Sequence, residues 1–285
     1  EVFGYPPDNL TENARRFREN CLCPFNNIVP NCTKSRVDNP LGVCSIQADA
    51  NPVIICPVRF REGWRVASDA AKFFFPRSTR WTSLTEVRLA DKHGGSAGNI
   101  DVVLVSYDAQ GRVTGYGALE VQAVYISGNI TNPFQYYMDD PEKRHAMDWS
   151  GNAKYPRPDY LSSSRKRLAP QLIYKGGILH AWQRKTAVAL NKTFFATLPS
   201  LEEVSEQEGE MAWFIYDLKH DAGENRYHLV LDDVRYTKFQ TALQRITHAE
   251  PGDEADFIAH LQVQLDDKIA NKMPAEVGTI DFPGK

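Results

Sequence analysis

The stretch that most constrains this chain covers residues 99–122. Two runs rich in Val, Leu, Ile and Tyr, residues 100–107 and 113–126, flank the turn-forming tetrapeptide Asp108-Ala109-Gln110-Gly111. The pattern predicts a β-hairpin. A two-residue turn at Gln110-Gly111 sets Asp101 opposite Glu120, with Cβ atoms roughly 4.5–5.5 Å apart. Period-2 alternation then places Gln122 on the same face. A type I turn with Gly111 as a G1 bulge would instead bring Leu119 opposite Asp101, unless a second bulge compensates. Leu119, Val121 and Ala123 fill one face, while Val103 and Val105 share the Asp101 side. Both faces are apolar, so the strands read as central and the acidic pair as buried. Two carboxylates this close, with no basic residue between them, repel unless they share a cation. The expectation is a divalent-metal site; the plainer alternative leaves Asp101 at a strand mouth and Glu120 in solvent.

All five cysteines fall between Cys21 and Cys56, in a segment punctuated by Pro24, Pro30, Pro40 and Pro57. Such a segment is loop-rich and poor in core formers, so something other than apolar burial must hold it. Two disulfides or a tetrathiolate metal are the candidates, and the lack of a secretory signal favours the metal. Cys23, Cys32, Cys44 and Cys56 are the expected ligands, although their spacing departs from paired CxxC knuckles. Four thiolates suit zinc or a single iron. Cys21 is left over as a free thiol.

With 42% hydrophobic and 24% charged residues, the 285-residue chain has an ordinary globular composition and can bury a full core. No apolar run reaches the length of a membrane span, and the opening Glu-Val-Phe-Gly-Tyr has no basic leader, so a soluble, cytoplasmic protein is expected. The net charge of −3 conceals an asymmetry. Residues 151–200 carry nine Lys and Arg against the single Asp159, whereas residues 201–285 are strongly acidic. A basic middle of this kind fits either a phosphate-contacting surface or a solvated helix face.

Along the rest of the chain, Trp64, Ala67, Ala70, Ala71 and Phe74 recur at helical spacing before Pro76, predicting a helix over 64–75. Glu86, in the apolar run before the hairpin, is a candidate third acidic ligand, or simply an exposed carboxylate. Residues 127–159, polar and aromatic with Tyr136, Tyr137, Trp149 and Tyr155, read as a long functional loop. Leu172, Ile173, Ile178, Leu179, Trp182, Val188 and Leu190 predict a helix from about 171 to 190, with a kink or close packing at Gly176-Gly177. Met211–Leu218 predicts a buried strand, with Tyr227–Val234 as its partner. Phe257, Leu261, Leu265 and Ile269 suggest a helix in the tail. The expected division is an N-terminal cysteine module over 1–63 and a catalytic domain over 64–285, with a DNA-contacting loop at 127–160.

An Asp, a hairpin and then Glu-Val-Gln is the arrangement of metal-dependent phosphodiester cleavage in the PD-(D/E)xK manner, with Gln122 where Lys normally stands. Asp101 and Glu120 would hold Mg²⁺, and Gln122 would orient the attacking water. The sequence resembles the NotI-type (type II) restriction endonucleases in two separated motifs. One is the cysteine set, CPF at Cys23, the lone Cys32, GVC at Cys44 and ICP at Cys56; the other is Glu86, Asp101 and GALEVQ with Glu120 and Gln122. The AWFIYDL strand also has a counterpart there, and the likeness covers roughly residues 21–219. It implies an α/β (α+β) fold with a restriction-endonuclease-like mixed sheet flanked by helices, beside a small loop-rich module that binds metal through four cysteines. It also implies structural iron on those cysteines, catalytic Mg²⁺ with Glu86 as auxiliary ligand, and a homodimer cutting double-stranded DNA at a GC-rich palindrome. Arg165, Lys166 and Arg167 are the expected phosphate contacts, with bases read from the loop. The competing readings are a non-catalytic DNA-binding protein with a cysteine-bound metal, and a repair or transposon-type nuclease with the same core.

Overall fold

The computed structural model describes residues 1–36, 38–48, 51–148, 151–152, 154–249 and 251–270. The strands among them are β1 (Ser45–Ala48), β2 (Asn51–Ile54), β3 (Trp81–Ala90), β4 (Ser96–Tyr107), β5 (Val113–Gln122), β6 (Tyr125–Ser127), β7 (Arg157–Asp159), β8 (Thr186–Asn191), β9 (Met211–Asp221) and β10 (Arg226–Thr237). Six of them form one mixed sheet in the order β10-β9-β8-β5-β4-β3. The β5–β8 and β8–β9 pairs are parallel and the other pairs antiparallel. This is the mixed sheet flanked by helices that the sequence led us to expect.

Side-chain alternation divides the core in two. Val102, Leu104, Leu119, Ala187, Ala189, Ala212 and Phe214 face the helix Arg65–Phe74, which buries Val66, Ala67, Ala70, Ala71 and Phe73 against them. On the opposite face Val188, Leu190, Met211 and Trp213 meet Leu168, Leu172 and Phe239, while Val103, Val105 and Ala118 meet Leu179. The central strands are covered on both sides, which is why their sequences are nearly continuous apolar runs.

The hairpin forms with both of the bulges considered above. Gly111, at φ +77°, donates its N–H to the Asp108 carbonyl at 3.1 Å, and Tyr107 pairs with Val113. A second irregularity between Ser106 and Tyr107 compensates: Val102 pairs with Leu119 and Val103 with Ala118. In that register Asp101 stands opposite Glu120. Strand β5 stops at Gln122 rather than continuing to residue 126, because the Val124 N–H goes to the Ile54 carbonyl and that of Tyr125 to Ser163 Oγ.

Two expectations require correction. The apolar stretch expected as one helix over 171–190 is split: residues 160–181 are helical, and Thr186–Asn191 is strand β8, buried at every position between β5 and β9. A short run apolar at every residue does not distinguish a buried strand from a buried helix, and here the sheet decides. The segment 127–159, expected as loop, contains the helices Thr131–Asp139 and Pro141–Arg144, the first anchored by buried Phe134 and Tyr137. Trp149 lies outside the described residues.

The helical stretch 160–181 contains two π turns, Ser164–Leu168 and Leu172–Gly176, around Pro170. Proline supplies no N–H and crowds the preceding turn, so a wider turn is the expected accommodation. Close packing at Gly176 is realised: a Cβ there would stand 2.7 Å from a Phe239 ring carbon. Residues 1–247 form one compact unit and 248–285 another. In the second, the helix Glu254–Ala270 presents Phe257, Leu261, Leu265 and Ile269 as exposed side chains.

Candidate active site

Asp101, Glu120 and Gln122 all project to the sheet face covered by residues 160–181, because β4 and β5 alternate in phase there. Glu120 is 3% exposed and Gln122 1%. One Glu120 oxygen, Oε2, accepts from Lys175 Nζ at 2.5 Å, and the other, Oε1, is buried with no hydrogen-bond partner. Asp101 Oδ2 accepts the Val121 backbone N–H at 2.8 Å, which holds its carboxylate against the start of the Glu-Val-Gln segment. Burial first, and then the like charge of Asp101, push the Glu120 carboxyl up to about 8, against the opposing pull of Lys175. Gln122 donates its side-chain N–H to the Gln171 side-chain oxygen. A buried carboxylate oxygen without a donor, next to a second carboxylate, is the donor set of a hard divalent cation, so the residues present fit Mg²⁺.

Glu86 lies opposite Asp101 in the β3–β4 register, between the Thr85–Val102 and Val87–Ile100 pairs. It is exposed and sits at φ +54°, a left-handed conformation that costs a non-glycine residue about 1–3 kcal/mol and tends to occur at functional sites. Among the described residues no group of three or more His, Cys, Asp or Glu side chains is arranged to hold a metal ion, so Glu86 does not close a three-carboxylate cluster with Asp101 and Glu120.

The four expected cysteine ligands do not form such a group either. All five cysteines are free thiols, so the disulfide alternative is not realised. Cys23, Cys32, Cys44 and Cys56 line one small pocket with Phe25, Lys34 and Arg59, but as the side chains stand they do not form a coordination group. The backbone brings them together: the N–H of Cys32 donates to the Cys21 carbonyl at 2.8 Å, and that of Cys56 to the Cys44 carbonyl at 3.2 Å. Burial, reinforced by the neighbouring thiols, raises Cys32 to about 11 and lifts Cys23 and Cys44 as well. Lys34 Nζ donates to the carbonyls of Val43 and Ile55 at the rim.

Comparison with known families is decisive for this arrangement. The restriction endonuclease NotI family model matches residues 7–229. The chain belongs to the NotI restriction endonuclease family. No match was found among curated proteins. Membership in the NotI family makes this chain a restriction endonuclease, a site-specific deoxyribonuclease acting on double-stranded DNA. No helix among the described residues is long and apolar enough to cross a membrane.

Arg165 and Lys166 are exposed on the first π turn of the stretch that covers the acidic pair. Arg167, half-buried, lies with its guanidinium 5.1 Å from the Tyr125 ring centre. The sequence reading passed over Lys175 and Gln171, which reach into the site. A signal for Lys175 was available: Leu172, Lys175, Gly176 and Leu179 follow the i, i+3, i+4, i+7 spacing of a buried helix face, and a lone cation on such a face calls for a partner.

Proposed function

We propose that this endonuclease cleaves DNA at a GC-rich palindromic site by Mg²⁺-dependent hydrolysis in the PD-(D/E)xK manner. The observation that carries this reading is buried Glu120 beside half-buried Asp101, with Glu120 Oε1 unpartnered. Asp101 and Glu120 would hold the cation and Glu86 would assist from the edge strand. When bound, Mg²⁺ adds charge against the phosphate oxygens and makes a coordinated water more acidic. The chain's own residues orient the reaction. Gln122, with its amide held by Gln171, offers a carbonyl oxygen to the attacking water, and the Val121 N–H fixes Asp101. Hydrolysis adds water across one P–O bond: the water oxygen joins phosphorus, the sugar oxygen leaves, and a proton from the water ends on that oxygen.

Arg165, Lys166 and Arg167 would track the phosphates while the 127–160 segment reads bases. A palindromic target implies a two-fold homodimer, each subunit cutting one strand. We further assign Cys23, Cys32, Cys44 and Cys56 to a structural thiolate metal, iron or zinc, which would draw the four side chains together and deprotonate thiols that burial otherwise keeps neutral. Metal analysis of the purified protein, with Cys32→Ser as control, tests that assignment. The nuclease reading is tested by digesting DNA of known sequence. Asp101→Ala and Glu120→Ala should lose Mg²⁺-dependent cleavage while still binding DNA, and full activity in either variant refutes it.

A further inference from the structure

In the usual arrangement of such a site a lysine two residues after the glutamate supplies a positive charge; here that position is Gln122, which carries none. The only ammonium reaching Glu120 among the described residues comes from a different element. Lys175, 5% exposed, extends from the second π turn of residues 160–181. Its Nζ donates to Glu120 Oε2 at 2.5 Å and to the Asn99 carbonyl at 2.8 Å. An ammonium has three N–H bonds, and these two partners leave one for a third acceptor. Gly98, at φ +107°, packs against the Lys175 stem: a Cβ there would lie 3.6 Å from Lys175 Cδ. Gln171, one helical turn before Lys175, bonds Gln122 itself, so the helix binds both ends of the Glu-Val-Gln segment.

We propose that Lys175 is a catalytic residue of this endonuclease, placing on a helix the active-site ammonium that the strand lacks at Gln122. Its free N–H donates to a non-bridging oxygen of the scissile phosphate and meets the negative charge that builds there as water adds to phosphorus. The bond changes are those of the hydrolysis above; Lys175 donates a hydrogen bond and transfers no proton. The assignment rests on reading Asp101 and Glu120 as the nuclease centre, and its test keeps the two apart.

The full-length protein is assayed for single-turnover cleavage of a long DNA of known sequence that the wild type cuts with Mg²⁺, and for binding of the same DNA in Ca²⁺. Lys175→Met should cut at least about 100-fold more slowly, the scale for removing one donor aimed at developing charge, while binding DNA within a few-fold of wild type. The double variant Gln122→Lys/Lys175→Met, which returns the ammonium to the strand, should recover about tenfold or more of that loss. Lys175→Gln replaces Lys175→Met if the latter does not fold, as judged by circular dichroism. A folded Lys175 variant that cuts at the wild-type rate while Glu120→Gln is inactive overturns the lysine and leaves the centre standing. If Glu120→Gln also cuts normally, the centre itself is wrong. A Lys175 variant that is slow, has a lowered melting temperature and gains nothing from Gln122→Lys assigns Lys175 a structural role and overturns the proposal.

Discussion

Glu120→Gln should make the metal-free protein more stable and the enzyme inactive, and the size of the first effect can be worked out. Glu120 is buried against Asp101 and its carboxyl is pushed up to about 8. A group whose folded value lies above its unfolded one holds its proton more tightly in the folded state, so the folded state loses ground as pH rises between the two. The loss begins near the ordinary glutamate value of 4.5 and is complete once pH passes about 8. Taking about 1.4 kcal/mol per pH unit across that window, the cost is on the order of 3 kcal/mol at pH 7 and 4–5 kcal/mol by pH 8.5. Glutamine has no such dependence. Its carbonyl oxygen can still accept from Lys175, and its amide can donate to Asp101.

Thermal unfolding in chelator at pH 5.5 and pH 8.5 isolates the effect, because every other titrating group is common to both proteins. The gap in melting temperature between Glu120→Gln and wild type should widen by roughly 5–10 °C from the lower pH to the higher, given about 2–4 °C per kcal/mol for a domain of this size. Saturating Mg²⁺ should then raise the wild type by a few degrees and the variant hardly at all, since a ligand stabilises only the state that binds it. Parallel pH profiles for the two proteins would refute the reasoning, for they would mean that Glu120 is hydrated or already compensated without a metal.

Other perturbations test the frame around the site. Arg59, fully buried, donates to Glu62 at 2.6 Å, and the Leu229 N–H donates to the same Glu62 oxygen at 2.7 Å, tying the 3-10 segment Pro57–Trp64 to β10. Burial alone would raise Glu62, but Arg59 and these donors outweigh it and lower the carboxyl. Glu62→Gln should therefore cost about 3 kcal/mol at pH 7. The deficit is full above the ordinary glutamate value and fades as pH falls through the lowered one, which urea unfolding at pH 7 and pH 3.5 would show. Gly117→Ala should destabilise by about 1–3 kcal/mol in chemical denaturation, since the new Cβ would stand 2.4 Å from Phe74 Cγ beneath the helix Arg65–Phe74. Arg165→Ala and Lys166→Ala should weaken DNA binding and each lower the slope of log affinity against log salt by about one; an unchanged slope removes them from the phosphate contacts.

The strands that carry the acidic pair were legible because β4 and β5 are local neighbours, and the alternation of Val103, Val105, Leu119 and Val121 around Asp101 and Glu120 permits few registers. Even the bulge pair at Gly111 and Ser106 lay within the alternatives that turn chemistry allows. The end of the helix expected over 171–190 was misread because Val188 and Leu190 have the same apolar character whether buried in a strand or on a helix, and only pairing with β5 and β9 selects one. The kink was expected at Gly176-Gly177, and local sequence does not say that two π turns flank Pro170. Lys175 was missed for the reason opposite to that for Glu86. Glu86 drew attention by its chemistry and proves exposed, whereas Lys175 sat in an apolar context and is buried, with a partner 55 residues away in sequence.

The position of Lys175 follows from topology. Neighbouring parallel strands cannot be joined by a tight turn, so the chain must cross over between β5 and β8, and here the crossover occupies residues 123–185. That connection leaves β5 immediately after Gln122 and has to cover the sheet face on which Asp101 and Glu120 stand. A helix laid over two carboxylates must either exclude charge and leave them repelling each other or bring a cation to them, and in this chain Lys175 is that cation. The same helical stretch turns Arg165 and Lys166 outward one π turn earlier. Contact with DNA at the outer cations would therefore bear on the element that positions the inner one, so loosening the stretch, for instance by replacing Gly176 where it meets Phe239, should impair cleavage more than it impairs DNA binding.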